Sequence, residues 1–265
     1  MLRLNAHYQG KLNLYSKQLH YKKFLKFKPM KKIIFILTLL MVTAGFSQSA
    51  TEFFTKSDAF FKKHVANGKV DYKAIKSNPD ELNELLDMAA SLSVSKSDSK
   101  TFQAFYINGY NLSVIKGVIN NYPTKSPLNI KGFFDKIKYT LAGKSTTLND
   151  LENKILRKNF PTEARFHFAL VCAGLGCPPI ISEAYTPSLL EKQLQRQTTI
   201  ALNNPNFIKV KGKKVQLSQI FEWYKGDFTQ NGSEIDYVNQ FRKEKIPANS
   251  KISYYPYNWK LNSVK

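Results

Sequence analysis

One stretch decides the fold, Phe102-Gln-Ala-Phe-Tyr-Ile-Asn-Gly-Tyr-Asn-Leu-Ser-Val-Ile-Lys-Gly-Val-Ile-Asn-Asn-Tyr122. Its periodicity predicts a helix that is apolar on nearly every side until Pro123 ends it, and such a helix belongs in the core. Asn108 and Asn111 share one face of this helix, where a buried amide without partners would cost about 1–3 kcal/mol. We expect the two amides to lock the helix to a neighbouring loop or to bind a ligand.

The segments on either side of this helix alternate between helical and hairpin patterns. Apolar residues at helical spacing predict one helix ending before Asn67-Gly68 and others beginning near Asn78-Pro79, Thr147, Thr186-Pro187 and Ser233. Alternating residues around a glycine turn predict β-hairpins over 137–148 and 207–217. These elements predict the α+β class, as a single domain with an antiparallel, hairpin-built sheet packed with several helices.

The first 47 residues are interpreted as targeting sequence. Residues 30–47 have a basic start, a short apolar run and small residues at its end, which predicts a signal peptide, because a spanning helix needs roughly 20 apolar residues. Residues 1–29 are then an upstream extension, and residues 48–265 form the domain. We therefore expect an exported protein, periplasmic or extracellular, with no stable membrane anchor once the signal is removed.

The charge of the chain argues against nucleic acid as a partner. The formal net charge is +21, but residues 1–50 contain nine Lys or Arg and no acids, so the rest carries 21 − 9 = +12. Its lysines are scattered, and no recognition motif is present. The charge predicts a general attraction to anionic surfaces.

Both cysteines lie in one segment, Arg165-Phe-His-Phe-Ala-Leu-Val-Cys-Ala-Gly-Leu-Gly-Cys-Pro-Pro179. We interpret it as a strand that enters a glycine turn. His167 and Cys172 are five positions apart, which on a strand places them on opposite faces, about 16 Å apart along the chain. The strand interpretation therefore argues against a catalytic pair between them.

The cysteines have three open interpretations: a Cys172–Cys177 disulfide, two inert thiols, or a reactive thiol. A thiol enzyme would use Cys172 or Cys177 as nucleophile, His167 as base, and Glu152 or Asn108 to orient the imidazole. Two further acids, Glu163 and Asp227, are also within plausible reach. His167 can instead be a hydrogen-bonded imidazole inside the sheet. No cofactor is predicted, and no metal site, because zinc-type ligand spacing is absent.

Aromatic residues are dense towards the end of the chain. The aromatic run could line a cleft for a glycan or peptide, or could complete the core. It consists of Trp223-Tyr224, Phe228, Tyr254-Tyr255, Tyr257 and Trp259, and among these we expect Trp223, Tyr224 and Trp259, with Asp227, to take part in binding. Exposed rings would distinguish a cleft from a core.

Several ordered motifs resemble a known family: Ala104-Phe-Tyr-Ile-Asn-Gly-Tyr-Asn111, Asn121-Tyr-Pro-Thr-Lys-Ser126, Arg165 to Cys172, Gly176-Cys-Pro-Pro179, Phe221-Glu-Trp-Tyr224 and Tyr255-Pro-Tyr-Asn-Trp259. Together they resemble the domain of unknown function 547, from about residue 70 to 262. The resemblance implies a bacterial-envelope association and carries no reaction or active-site residues. This chain departs from the family's usual wording at Tyr106, Asn153 and Asn258.

These observations favour a non-enzymatic envelope module that binds a peptide, glycan or partner protein. The alternative is a thiol-dependent hydrolase or transferase acting on amide or ester bonds.

Overall fold

The computed structural model of the protein describes residues 50–264. The predicted signal peptide lies outside these residues. At the centre is the long helix expected from the sequence, Ser99–Asn120, whose residues are almost all buried. The Asp98 side chain caps its start by accepting a hydrogen bond from the Thr101 amide at 3.2 Å. The core forms around this helix because it has no polar face to turn to solvent.

Nine α-helical segments lie in the described chain and are numbered here in chain order, beginning with seven. They are α1 (residues 50–64), α2 (Tyr72–Ser77), α3 (Asp80–Ser91), α4 (Ser99–Asn120), α5 (Leu148–Asp150), α6 (Leu190–Asn203) and α7 (Gln219–Trp223). Two more follow, α8 (Lys225–Phe228) and α9 (Glu234–Phe241), the latter with the capping box formed by Ser233 and Asp236.

The strands are short and belong to three small sheets. They are β1 (Val65–Ala66), β2 (Lys69–Val70), β3 (Lys138–Leu141), β4 (Lys144–Thr147), β5 (Lys209–Lys211), β6 (Lys214–Ser218) and β7 (Lys251–Tyr255). Three antiparallel pairs, β1 with β2, β3 with β4 and β5 with β6, are hairpins. Asn67 and Gly68 both have positive φ in the first turn, as a tight two-residue hairpin requires.

The predicted class, α+β as a single domain, is confirmed, with one difference in the sheet. Strand β7 pairs with β6 in parallel, with Val215 opposite Ile252. A parallel pair needs a long connection, and α7, α8 and α9 lie in the one between β6 and β7. The sequence indicated the hairpins β3–β4 and β5–β6 because their turns are local, whereas the short β1–β2 hairpin was not predicted. A pairing between distant segments leaves no local pattern.

The strand predicted through residues 165–172 is wrong. Residues Ala164–Phe168 form a buried 3-10 helix. Its first turn is held by Glu163, whose side chain accepts from the Arg165 amide at 3.3 Å. The alternation of this segment reflects burial on two sides, because Phe166 belongs to one apolar cluster and Phe168 to another. The reason for separating His167 from Cys172 by strand parity is thereby removed.

Two apolar clusters make up the interior. One surrounds α4 and includes the buried residues of α1, α2 and α3. The other is formed mainly by α6 to α9 and the strand β6. Cys177 packs against both clusters. Within residues 50–264, no helix is long and apolar enough to cross a membrane.

Candidate functional site

A pocket of about 260 Å³ lies where the two apolar clusters meet. Its polar lining consists of Asn149, Glu152, His167, Cys172 and Cys177. Its rings come from Tyr110, Phe134, Trp223, Tyr224, Tyr257 and Trp259. All four predicted catalytic residues and three of the predicted binding residues therefore line one cavity, which is the usual arrangement of a ligand site.

His167 is held rigidly at the inner side of this pocket. Its side chain is only 2% exposed, and its ring packs 4.0 Å from the ring of Tyr224. Nε2 lies 2.7 Å from Oδ2 of Asp227. An ionised carboxylate only accepts hydrogen bonds, so Nε2 carries the hydrogen. In the neutral ring the lone pair is then on Nδ1, which faces Oε1 of Glu152 at 3.9 Å.

Asp227 is the anchor of this arrangement. Besides His167 it accepts two hydrogen bonds from Arg157, Nε to Oδ2 at 2.7 Å and Nη2 to Oδ1 at 2.8 Å. Burial opposes ionisation of Asp227, but the hydrogen bonds from His167 and Arg157 outweigh it and hold the pKa of this carboxyl well below its usual range. The carboxylate therefore stays charged and fixes the orientation of both partners.

A π-helix presents two of these groups together. After Thr147 caps α5, the chain widens into the π-helix Leu151–Arg157. Glu152 and Arg157 are five positions apart, which would separate them on an α-helix. A π-helix closes its turns over five residues, so Glu152 faces Nδ1 of His167 while Arg157 reaches Asp227. The helix was predicted from the sequence, but its widening was not.

The two cysteines lie at disulfide distance from each other, with Cα atoms 6.5 Å apart. The Tyr257 hydroxyl is 2.8 Å from each of the two sulfurs. Between residues 50 and 264 no hydrogen bond joins His167 to either sulfur. The sulfurs thus share the pocket with the imidazole without a hydrogen bond to it.

Asn108 and Asn111 lie outside the pocket lining and hold backbone instead. Asn108 donates to the Tyr185 carbonyl at 2.7 Å and accepts from the Tyr185 amide at 3.0 Å. Asn111 donates to the Ala169 carbonyl at 3.0 Å and accepts from the Val171 amide at 2.9 Å. Both amides lock α4 to the loops beside it, each by one donated and one accepted hydrogen bond. Asn111 thereby positions the chain between His167 and Cys172.

Three aromatic residues of the pocket lining form a continuous wall. Trp223 and Trp259 are stacked with ring centroids 6.0 Å apart, and Tyr257 packs against both, at 5.1 and 4.6 Å. Trp223 is 47% exposed. The indole of Trp223 is therefore not fully enclosed in the core.

Sequence reasoning overlooked two contributors, Arg157 and Tyr110. Arginine is scarce after residue 50, so an Arg five positions after Glu152 was a usable signal. Tyr110 was hidden among many aromatic residues, and only the fold distinguishes those that line the pocket. Glu163, considered as an acid near the site, is instead paired with Arg165 at 2.6 Å. In the described part of the chain, no cluster of three or more His, Cys, Asp or Glu could hold a metal ion.

Comparisons with known proteins point to one family. No curated protein and no solved structure matches the chain. Residues 94–200 match the model of a family described as "Protein of unknown function, DUF547". The matched segment contains Glu152, His167 and both cysteines, whereas Asp227 and the aromatic wall residues Trp223, Tyr257 and Trp259 follow it. Over residues 94–200, this chain resembles the DUF547 family of proteins of unknown function.

Proposed function

We propose that this chain is an exported bacterial envelope protein whose pocket binds a small group presented by an envelope peptide, glycan or protein. The observation that carries the proposal is the 260 Å³ cavity beside an exposed tryptophan. Binding sites are typically concave and apolar with a few convergent polar groups, and this pocket has both features. Its volume is below the roughly 300–1,000 Å³ typical of drug-sized ligands, so one side chain or one sugar ring is a suitable guest.

The cysteine pair supports binding rather than thiol chemistry as the principal role. Cys172 and Cys177 both line the pocket, and their sulfurs are at disulfide distance from each other. Disulfides persist in oxidising compartments, which agrees with the signal peptide predicted from residues 30–47. We therefore place the mature protein in the periplasm or outside the cell, without a nucleic-acid partner. Intact mass of protein recovered from the envelope, expected to lack residues 1–47, tests this placement.

Calorimetric titration of the oxidised protein tests the binding function. Short cell-wall peptides and cell-wall glycan fragments are the two panels, and we expect saturable binding of members of one panel. The variant Trp223→Ala should weaken that binding about tenfold, which corresponds to about 1.4 kcal/mol. Leu189→Ala is the matched control, because Leu189 is a large apolar residue that is 45% exposed away from the pocket. Absence of binding by both panels, or equal affinity in wild type and Trp223→Ala, contradicts the proposal.

A second candidate is a thiol-dependent hydrolase or transferase acting on amide or ester bonds in the reduced protein. It is favoured by the convergence of His167, Glu152 and both sulfurs on one pocket. Asp227 orients the imidazole from Nε2, so Nδ1 remains for proton transfer. Tyr257, at 2.8 Å from the sulfurs, can donate to a thiolate.

The reaction would proceed in two steps. Nδ1 of His167 takes the thiol proton, and the thiolate sulfur attacks the carbonyl carbon of the substrate. The bond to the amine or alcohol breaks, the leaving group takes the proton from the imidazolium, and a thioester remains. Attack on this thioester by water, or by an acceptor amine or alcohol, releases the acyl group and restores the thiol.

A labelling experiment separates the two candidates. The binding function predicts that native oxidised protein has a mass two units below the reduced mass and takes up no iodoacetamide. The hydrolase predicts that, after mild reduction, one cysteine is alkylated rapidly and p-nitrophenyl acetate is cleaved. The single variants Cys172→Ser and Cys177→Ser then identify the nucleophile, since only one of them should lose activity. Equal, slow alkylation of both thiols without ester cleavage eliminates the enzyme.

A further inference from the structure

The pocket differs in charge from the protein that contains it. The chain has 40 Lys or Arg against 19 Asp or Glu, yet no lysine or arginine lines the pocket. The only carboxylate in the lining is that of Glu152, whose side chain is 13% exposed. A strongly basic protein thus contains a cavity whose fixed charge is negative.

Glu152 lacks the cationic partner that its acidic neighbours have. Asp150 pairs with Lys154 at 3.0 Å, Glu163 with Arg165 at 2.6 Å and Asp227 with Arg157 at 2.7 Å. Among residues 50–264, no lysine or arginine lies within 4 Å of the Glu152 carboxylate. Its nearest basic atom is Nδ1 of His167 at 3.9 Å, which is beyond hydrogen-bond distance.

Two tyrosines, Tyr110 and Tyr224, interact with this carboxylate without neutralising it. Burial raises the pKa of Tyr110 and Tyr224, and the negative charge of Glu152 raises each further. Both tyrosines therefore stay neutral. Arg157 acts on Glu152 only through its charge, without an ion pair. A partly desolvated carboxylate with no cation in direct contact is costly unless one reaches it.

The aromatic lining of the pocket suits the same kind of ligand. Trp223, Tyr257 and Trp259 all line the pocket and pack on one another. Aromatic faces attract cations through the negative potential of the ring, most strongly for Trp and for desolvated cations. Aromatic rings together with one carboxylate are therefore complementary to an organic ammonium group.

We propose that the group bound in this pocket is an organic ammonium ion, held between the Glu152 carboxylate and the aromatic wall of Trp223, Tyr257 and Trp259. This inference rests on the proposed binding function and specifies its ligand class. A lysine side chain of an envelope peptide or a quaternary ammonium headgroup has the required charge. An acidic glycan does not, because Glu152 would repel it.

The two tryptophans of the chain make the test direct, because both line the pocket and there is no other tryptophan. Intrinsic tryptophan emission of the oxidised protein is titrated with two matched pairs of probes. The first is choline and its uncharged isostere 3,3-dimethylbutan-1-ol. The second is Nα-acetyl-lysinamide and Nα-acetyl-norleucinamide. We expect saturable changes with the cations and at least tenfold weaker binding of the neutral partner in each pair.

Variants identify the charge responsible. Glu152→Gln should weaken binding of the cations about tenfold and leave the neutral probes unchanged. Glu244→Gln, which removes an exposed carboxylate elsewhere, should change neither. Stronger binding of the lysine probe than of choline points to a peptide ligand, and the reverse to a quaternary headgroup.

Two outcomes overturn the inference. Equal affinity for charged and neutral probes refutes the ligand class while leaving a binding pocket in place. Unchanged cation affinity in Glu152→Gln refutes the role of the carboxylate. If no probe produces a saturable change, the ammonium ligand is rejected, and the titration with peptide and glycan panels decides the proposed binding function independently.

Discussion

The two histidines after residue 50 are both buried, yet their surroundings differ. The His64 side chain is 8% exposed and packs on Phe60, and its Nε2 lies 3.3 Å from Glu81. Glu81 is 41% exposed and is shared with Lys63 at 2.8 Å. His167 instead contacts a carboxylate that is fixed by an arginine, with a second carboxylate facing its other nitrogen.

The difference shows which features make a buried histidine a candidate for function. Burial alone does not, since both rings have it. At His64 the polar contact lies at the surface, where water replaces it at little cost. At His167 the contacts are more deeply buried, so a lost partner leaves a charge with little solvent to replace it. The comparison predicts that equivalent substitutions at the two sites have unequal effects.

The largest expected effect on stability is that of Asp227→Asn. This change leaves the Arg157 guanidinium partly buried without its counter-charge and gives His167 a poorer acceptor. We expect a loss of about 2–4 kcal/mol in the free energy of unfolding at pH 7, below the roughly 3–5 kcal/mol of a fully buried pair, because both side chains keep some solvent contact. Urea unfolding followed by circular dichroism measures it. A loss under about 1 kcal/mol would place Asp227 in the same class as a surface carboxylate.

The pH dependence of this loss provides a second test. Because the folded pKa of Asp227 is held below its unfolded value near 3.9, the carboxylate contributes stability that is present above about pH 5. That contribution is lost as the pH falls through the folded pKa. The difference between wild type and Asp227→Asn should thus be constant from pH 6 to 8 and shrink below about pH 4. A difference that grows on acidification contradicts the assignment.

Asn111→Ala is expected to cost about 2 kcal/mol, since the Ala169 carbonyl and Val171 amide each lose a buried partner. The backbone at His64 needs no side-chain partner of this kind, because the His64 carbonyl accepts a hydrogen bond from the Asp71 amide across the β1–β2 hairpin. Asn121→Ala is a suitable control at the exposed end of α4, where the side chain only meets the Gly117 carbonyl. Chemical unfolding should show less than about 0.5 kcal/mol for the control.

The sequence predicted most of the fold but only some of the contacts that form the site. Periodicity identified α4, α3 and α9, and turn residues identified the hairpins β3–β4 and β5–β6, because these signals are local. It failed at residues 164–168, where alternating burial imitates a strand although the residues form a 3-10 helix between two apolar clusters. The pairing of β7 with β6 and the contact between Arg157 and Asp227 span 37 or more positions and have no local signature.

The residues that line the pocket were predicted better from their chemistry than from the secondary structure expected of the sequence. His167, Glu152 and the cysteines were selected because few other residues in the chain carry such chemistry, and that reasoning survived the wrong secondary structure. Asn108 and Asn111 were selected for their buried amides, which hydrogen-bond to backbone groups. A polar residue in a core helix therefore indicates a lock at least as readily as a ligand site.

The smallest effect on stability is expected for Glu81→Gln, at the His64 site. Lys63 and His64 lower the pKa of Glu81, with the hydrogen bond from Lys63 as the main cause. Exposed ion pairs contribute about 0.2–1 kcal/mol, so the unfolding free energy should fall by no more than that.

Salt should also screen the Glu81 contribution, so that raising the ionic strength to about 1 M, where the Debye length is near 3 Å, abolishes the difference from wild type. Under the same conditions most of the Asp227→Asn loss should persist, because its hydrogen bonds lie where solvent ions have little access. A Glu81 effect that survives in salt while the Asp227 effect disappears would reverse the assignment of the two histidine sites.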